Sequence, residues 1–273
     1  MVSSLARWLV RMQCYNLSDY FLTTASKIIG KGFKISYDKN GFWRHTLNGT
    51  VINETYPNIR MDPDHIQKEV EISFYDYRPQ PGDVCIDIGA GIGTECIAMS
   101  KMIGPGGKIF AVEASPFTFK VLKANVLENN LSNVSCYNLA IGDRNGKIKI
   151  SDNSDNHIVN NIWSKEGTDV DALTMDDFVR TLGVEKIDFL RVNIEGAEKL
   201  LVSQFTSISN FRHVAIACHD FLTKRTGDPQ FTSKEQVAAF LTANNFSIRT
   251  RNTGIDYVDD WLFGVNSKAF AGQ

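Results

Sequence analysis

Three observations predict an α/β fold with a doubly wound, mostly parallel sheet. From residue 83 onward, short apolar runs alternate with segments at helical spacing. The first of these runs empties into a glycine-rich turn, "DIGAGIG", residues 87–93. With 273 residues, 43% of them hydrophobic, the chain can also bury one large core. The alternation predicts strands at 83–88, 108–113 and 133–139, with helices at 94–103 and 116–129 between them. Lys147–Ile150 adds a short strand, and the polar, Asn- and Asp-rich stretch from Ser151 to Asp169 reads as a long loop. Thr174 caps a helix that runs to Leu182, Ile187–Val192 is a strand, Ala197–Phe205 a helix and Val214–Cys218 a strand. The capping box Ser233-x-x-Gln236 opens another helix, and Phe246–Arg251 and Tyr257–Val265 close the chain as strands.

Ahead of this alternation lies an extension of different character, which divides the chain into residues 1–61 and 62–273. Leu5, Trp8, Leu9 and Met12, then Leu17, Tyr20, Phe21, Ala25, Ile28 and Ile29, recur at helical spacing. Packing against the protein's own core is the expected use of these stripes. The alternative is peripheral contact of residues 1–29 with a membrane, with Arg7 and Arg11 beside Trp8. Residues 33–58 mix aromatic and β-branched residues with two Asn-Gly pairs, a small hairpin region. Asp62-Pro63 then opens a helix with Ile66, Val70, Phe74 and Tyr77 on one side, ended by Pro79 and Pro81.

The net charge of −2 gives no electrostatic reason to expect a nucleic-acid partner. The five cysteines stand singly, without Cys-x-x-Cys spacing, which argues against zinc and against a disulfide framework. No apolar run is long enough to span a bilayer and no signal peptide is evident, so a cytoplasmic protein is expected.

Three ligands use a glycine-rich turn between strand and helix. A phosphate-binding P-loop requires a lysine that is missing between Asp83 and Ser100. A dinucleotide fingerprint wants a third small residue where Thr94, or Cys96 in the alternative frame, stands. S-adenosylmethionine fits best: bare main chain at Gly89, Gly91 and Gly93 can lie against its amino-acid and ribose portions, and Asp87 adds a negative group near its ammonium. Glu113 closes the second strand, where a carboxylate can accept both ribose hydroxyl hydrogens. An acid there also serves NAD, so Glu113 does not separate these two cofactors.

Beyond the loop, "LTMDDF" (173–178), "IDFLRVNIEGAE" (187–198) and "CHDF" (218–221) resemble the FkbM family of S-adenosylmethionine-dependent methyltransferases, over roughly residues 65–265. The resemblance implies the class I methyltransferase fold, a Rossmann-like seven-stranded sheet with an antiparallel last strand. It also implies methylation of hydroxyl groups on sugars or secondary metabolites. Carried over by position, Asp87, Gly89, Gly91 and Gly93 would face the methionine part, Glu113 the ribose, and Ala140 with Asp143 the adenine. Ala90, Thr94, Ala114, Ser115 and Asn193 complete the candidate cofactor contacts. This chain departs from many relatives in having Arg191 and Asn193 where Lys and Asp are common, and Glu95 where an aromatic residue is common. An amide at 193 cannot take up a proton near neutral pH.

Methyl transfer to oxygen is an in-line displacement in which the acceptor hydroxyl sits about 3 Å from the methyl carbon and loses its proton as the new bond forms. Glu195, His219 and Asp220 fall at the carboxyl ends of the fourth and fifth strands, where such a fold binds its ligands. His219 is the expected general base, with Asp220 orienting it or binding the acceptor, and Glu195 is the competing base. The same three could instead hold a Mg or Mn ion, although no metal is expected. Trp163, Asn160, Asn161 and His157 of the polar loop suit a sugar. The expected protein is thus an S-adenosylmethionine-dependent O-methyltransferase acting on a hydroxyl of a sugar, glycoconjugate or small metabolite. The alternatives are an NAD-dependent oxidoreductase and a cofactor-binding scaffold without turnover.

Overall fold

The computed structural model describes residues 2–38, 40–59, 63–151 and 167–268. The extension begins with a helical hairpin, α1 (Val2–Arg11) and α2 (Tyr15–Ile28). It continues as an antiparallel meander of β1 (Lys34–Tyr37), β2 (Trp43–Leu47) and β3 (Thr50–Glu54). Asn48 and Gly49 both take positive φ in the β2–β3 turn, the geometry that Asn-Gly supplies at least cost.

Side chains from neighbouring helices cover both open edges of this small sheet. Along β1, Ser26 Oγ accepts from the Phe33 N–H at 3.0 Å, Thr23 Oγ1 from the Ile35 N–H at 3.0 Å, and Asp19 Oδ1 from the Tyr37 N–H at 2.8 Å. The helix α2 therefore approaches through small and polar residues, and Ser18, Leu22 and Ser26 are its buried positions. The apolar stripe read from the sequence points elsewhere: Leu5, Trp8, Met12, Leu17, Tyr20 and Ile28 are all exposed. Of the stripe Leu9 is buried and Phe21 and Ala25 are half-buried, so the expectation that it packs against the core is corrected for most of its members. Hydrogen bonding to a strand edge, together with burial of Leu22, selected the inner face.

The helix α3 (Pro63–Ser73) leads into β4 (Val84–Ile88), α4 (Thr94–Ile103), β5 (Lys108–Val112), α5 (Pro116–Glu128) and β6 (Val134–Tyr137). Asp62, the expected cap of α3, lies outside the described residues. Pro116 follows the cap Ser115, whose Oγ accepts from the Thr118 N–H at 3.2 Å. Asn125 and Asn129 of α5 close the other edge of the meander. Asn125 Oδ1 accepts from the Asn53 N–H at 2.6 Å, and its Nδ2 donates to the carbonyls of Asn53 (3.0 Å) and of Ile92 in the glycine loop (2.8 Å). Ile92 itself packs in one buried cluster with Trp43 and Ile52 of the meander and Val121 of α5. The extension thus braces the loop from behind.

Two short strands absent from the sequence reading, β7 (Ala140–Gly142) and β9 (Thr168–Thr174), flank β8 (Gly146–Ile150) in sequence and form a second small sheet with it in the order β7-β9-β8. The chain continues through α6 (Met175–Leu182), β10 (Ile187–Val192), α7 (Glu198–Ser203), β11 (Phe211–Ala217) and α8 (Asp220–Thr226). It then forms α9 (Lys234–Ala243), β12 (Ser247–Arg249), α10 (Asp256–Asp259) and β13 (Trp261–Val265). Residues 257–259 are thus helical where a strand was expected. The Ser233 hydroxyl does not cap α9; it donates to Glu198 Oε2 at 2.9 Å, and Asp220 Oδ1 takes the N–H groups of Ser233 and Lys234 instead.

The main sheet has the order β12-β13-β11-β10-β4-β5-β6. β13 runs antiparallel to both its neighbours, while the other pairings are parallel. This is the class I methyltransferase arrangement. One face packs with α6, α7 and α9 through residues such as Ile86, Leu190, Val214, Phe178 and Leu241, and the other packs with α3 and α4 through Cys85, Phe189, Phe74 and Met99. Chain order reverses between β4 and β10, the switch point where such sheets bind ligands.

The Asn125 brace carries a measurable load. Asn125→Ala leaves two buried carbonyls and one N–H without that side chain, so urea unfolding should show a loss of about 3 kcal/mol, against under 0.5 kcal/mol for an ordinary exposed substitution such as Lys120→Ala.

Candidate functional site

At the carboxyl end of β4 the three alternate glycines are required for different reasons. A Cβ on Gly89 would stand 1.9 Å from the Asn193 carbonyl oxygen, and one on Gly93 would stand 2.5 Å from Leu122. The protein's own packing fills those two places. Gly91, at φ +56°, has nothing within 4 Å of its Cβ direction, so it alone presents bare main chain to open space. Its N–H donates to Glu113 Oε2 at 2.9 Å, while Glu113 Oε1 accepts from the Ser115 N–H at 2.8 Å. Through these bonds Glu113 anchors the glycine loop to the start of α5. Ala114 packs against a small apolar cluster containing Ala140, Ile150 and Val170, and Asn138 Nδ2 donates to the carbonyls of Glu113 and Ala114. Asp143, half-exposed, follows β7 immediately, beside Arg144. Thr94 opens α4 and donates to Glu95 Oε2 at 2.7 Å.

Asp87 does not face the cleft. It is fully buried, with Oδ1 2.8 Å from Arg191 Nη1 and Oδ2 accepting from Cys96 Sγ at 3.3 Å. Arg191 Nη2 reaches Glu95 Oε1 at 2.7 Å, Nε donates to Ser73 Oγ, and the guanidinium lies over the Trp261 ring. Burial works against the charge of Arg191, but Asp87 and Glu95 more than restore it and raise its pKa. The expected placement of Asp87 beside a ligand's ammonium is thus corrected: its carboxylate neutralises Arg191 beneath the loop. Removing either partner would strand a charge, so the cluster holds β4, α3, α4 and β10 in one arrangement.

A second buried charge cluster lies one strand away. The loop after β10 runs Asn193-Ile194-Glu195-Gly196, with the Asn193 N–H donating to Ile88 O at 2.9 Å and Glu195 at φ +53°. His219, buried at the end of β11, has Nδ1 2.9 Å from Glu198 Oε1 and Nε2 3.4 Å from Glu195 Oε1. Glu198 also accepts from the Ile194 and Gly196 N–H groups and from the Ser233 hydroxyl, with its side chain wholly buried. Desolvation opposes a charge on His219, but Glu198 and then Glu195 outweigh it and raise the imidazole from 6.5 to about 10. Glu198 is pushed the other way: burial raises it, and His219 more than reverses that, leaving the carboxyl below its usual 4.5. Both ring nitrogens of His219 face carboxylates, an arrangement that favours the imidazolium and turns no lone pair outward, which argues against the expected role of His219 as general base. Of the three side chains, Glu195 is the one that reaches the surface, at 22% exposure.

A family model described as the methyltransferase FkbM domain matches residues 87–248, which hold the glycine loop, the Asp87–Arg191–Glu95 ion pairs and the His219 cluster together. The chain belongs to the FkbM methyltransferase family. A crystal structure of the FkbM methyltransferase of Methylobacillus flagellatus KT superposes with a TM-score of 0.53 at 14% identity, covering 76% of this chain and 51% of that one. Curated relatives match over short stretches. An arsenite methyltransferase of Halobacterium salinarum is 28% identical over 30% of this chain and 20% of its own length, and a protein-L-isoaspartate O-methyltransferase of Aeropyrum pernix is 35% identical over 18% of each. The chain spans about a fifth of the length of these curated relatives.

Within this FkbM domain Asp220 neither orients His219 nor joins it in a ligand set, because its Oδ1 caps α9. Glu198 orients the imidazole. Glu198 lies three residues after Glu195 in the "NIEGAE" stretch, and that pairing of carboxylates was its signal in the sequence. Among the described residues no three His, Cys, Asp or Glu side chains are grouped to hold a metal ion. His157, Asn160, Asn161 and Trp163 lie outside the described residues.

The glycines separate fold from binding. Gly89→Ala drives a methyl into the Asn193 carbonyl and should abolish the cooperative thermal transition or lower its midpoint by 10 °C or more, a shift on the order of several kcal/mol. Gly91→Ala meets no protein atom and should cost only about 1 kcal/mol of backbone strain, while binding of S-adenosylhomocysteine weakens at least tenfold by calorimetry.

The His219 pair makes a pH prediction of definite sign. Its folded-state value near 10 lies above the ordinary 6.5, so its stabilisation is complete below pH 6.5 and is lost as pH rises towards 10. The difference in urea stability between wild type and His219→Gln should therefore shrink from pH 6 to pH 10; a constant difference would rule out the charged pair.

Proposed function

We propose that this protein is an S-adenosylmethionine-dependent O-methyltransferase whose acceptor is a hydroxyl of a sugar, glycoconjugate or small metabolite. The observation that carries the reading is Gly91: bare main chain beside Glu113, at the switch point between β4 and β10, in a chain of the FkbM family. Gly91 would hold the methionine portion of the cofactor, Glu113 the ribose hydroxyls, and Ala114 and Ala140 a flat apolar bed for the adenine. Bound there, S-adenosylmethionine supplies a methyl group on a cationic sulfur, ready for attack by a nucleophile. In this reading residues 62–273 perform the chemistry and residues 1–61 brace the loop through Asn125 and Ile92.

Glu195 is the residue assigned to the acceptor. It accepts a hydrogen bond from the hydroxyl and takes the proton as the carbon–oxygen bond forms. His219, held charged by Glu198, grips the Glu195 carboxylate from behind and fixes its direction. Because Glu195 sits at positive φ, this grip also keeps the loop in a conformation that a non-glycine residue adopts reluctantly.

An acceptor that binds through thiolates suits the site poorly. Cys85, Cys96 and Cys218 are buried, and burial raises their thiols well above the ordinary value, while Cys14 sits exposed in the α1–α2 turn. An NAD-dependent oxidoreductase is disfavoured because the usual dinucleotide sheet continues past its fifth strand with a sixth, whereas here reversed β13 stands beside β11.

Two measurements test the proposal. Titration calorimetry should detect S-adenosylhomocysteine binding that Glu113→Ala abolishes; no heat with the wild type would end it, and heat with NADH instead would move the protein to the oxidoreductases. Glu195→Gln should bind S-adenosylhomocysteine like the wild type while kcat on the acceptor falls about 100-fold or more. A scaffold without turnover would show no methyl release to distinguish the two.

A further inference from the structure

We infer that the α1–α2 hairpin is a docking face for an anionic lipid surface. Of twelve large apolar side chains exposed among the described residues, eight fall within residues 5–29. Trp8 is 55% exposed, Leu17 56%, Tyr20 73% and Ile28 79%, and Leu5 of α1 and Met12 just after it are exposed too. An ordinary monomer surface scatters such side chains singly.

The fold does not need these residues where they are. Ala6 and Leu9 of α1, and Ser18, Leu22 and Ser26 of α2, make the inward contacts, and Asp19, Thr23 and Ser26 tie α2 to β1. The apolar arc of α1 runs past Ala6 and Leu9 to Leu5, Trp8 and Met12 and is then bounded by Arg11, about 60° round the helix from Trp8.

Charge selects the occupant. Residues 4–28 hold Arg7, Arg11 and Lys27 against Asp19 alone, in a chain whose net charge is −2, and the Asp19 carboxylate is turned inward to the Tyr37 N–H. A second copy docking face to face would bring the same cations together, since a two-fold interface repeats one patch against itself. A bilayer with anionic headgroups offers both the acyl region for Leu and Met and the negative surface for Arg and Lys. Tryptophan and tyrosine are the side chains that settle at headgroup level, and arginine can extend its head to the phosphates while its stem stays apolar. None of the described helices is long and apolar enough to cross the membrane, so contact would be with one leaflet.

Co-sedimentation of the full chain with vesicles of equal parts phosphatidylcholine and phosphatidylglycerol tests this. Binding should be strong to these, weak to pure phosphatidylcholine, and reduced by salt. Arg7→Gln and Arg11→Gln should each weaken it about fivefold, and Trp8→Ser with Leu17→Ser should abolish it. Tryptophan emission should shift to the blue on binding in the wild type but not in Trp8→Phe. Each variant should keep the wild-type thermal midpoint and S-adenosylhomocysteine affinity, which separates this result from any failure of the cofactor reading. Absence of binding to either vesicle, equal binding to both, or a solution dimer dispersed by Trp8→Ser would overturn the inference.

Discussion

Two loops meet at the centre of this protein with no room for a side chain between them. Gly89, leaving β4, and Asn193, leaving β10, bring their main chains so close that a single methyl group would collide with the Asn193 carbonyl. One loop carries Gly91 and the other carries Glu195, so in the function proposed above this contact would set the distance between cofactor and acceptor. The Asn193 N–H bond to Ile88 fixes the same junction from the side of the sheet. Methyl transfer depends on alignment to a fraction of an ångström, and alignment of this kind is best supplied by main chain, which has no rotamers to explore.

Two buried charge clusters hold that junction from below and from the side. Arg191, clasped by Asp87 and Glu95, lies under the glycine loop, and His219, clasped by Glu198 and Glu195, lies beside the second loop. Replacing such groups with well-packed apolar residues often costs no stability, so their presence here is a matter of geometry more than of strength. An ion pair in a low-dielectric interior has few alternative arrangements, because every misplacement exposes an uncompensated charge. Both clusters join residues far apart in sequence, 87 with 191 and 198 with 219, and so tie neighbouring strands and the loops after them to one another.

The extension follows a different logic. Its meander is too small to bury a core of its own and has two open edges, and both are closed by side chains acting as substitutes for a missing strand: Asn125 and Asn129 on one side, Asp19, Thr23 and Ser26 on the other. Closing an edge with side-chain oxygens and amides turns polar residues inward and leaves Leu17, Tyr20 and Ile28 of α2 outside, with Leu22 the apolar exception. The exposed hairpin is therefore a direct consequence of how the edge was protected, and its surface chemistry is open for use by another phase.

The alternation of apolar runs, the glycine turn and the acid at the end of the second strand were enough, by periodicity and turn chemistry alone, to specify the parallel sheet, the switch point and the loop at 87–93. Local rules of this sort work because a strand's period and a turn's φ values are properties of neighbours in sequence. What the sequence left open were the questions decided by distant contacts. Asp87 looked like a ligand group until Arg191, 104 positions away, claimed its carboxylate. His219 looked like a base until two carboxylates made it an acid's partner, and Asp220 looked like its orienter until the start of α9 took its oxygen. The strands β7 and β9 form only by pairing across intervening chain, and the inner face of α2 was chosen by the edge of β1. Residue type and spacing decide which groups a protein has to work with; only the folded interior, where water no longer competes for every charge and hydrogen bond, decides which group each of them serves.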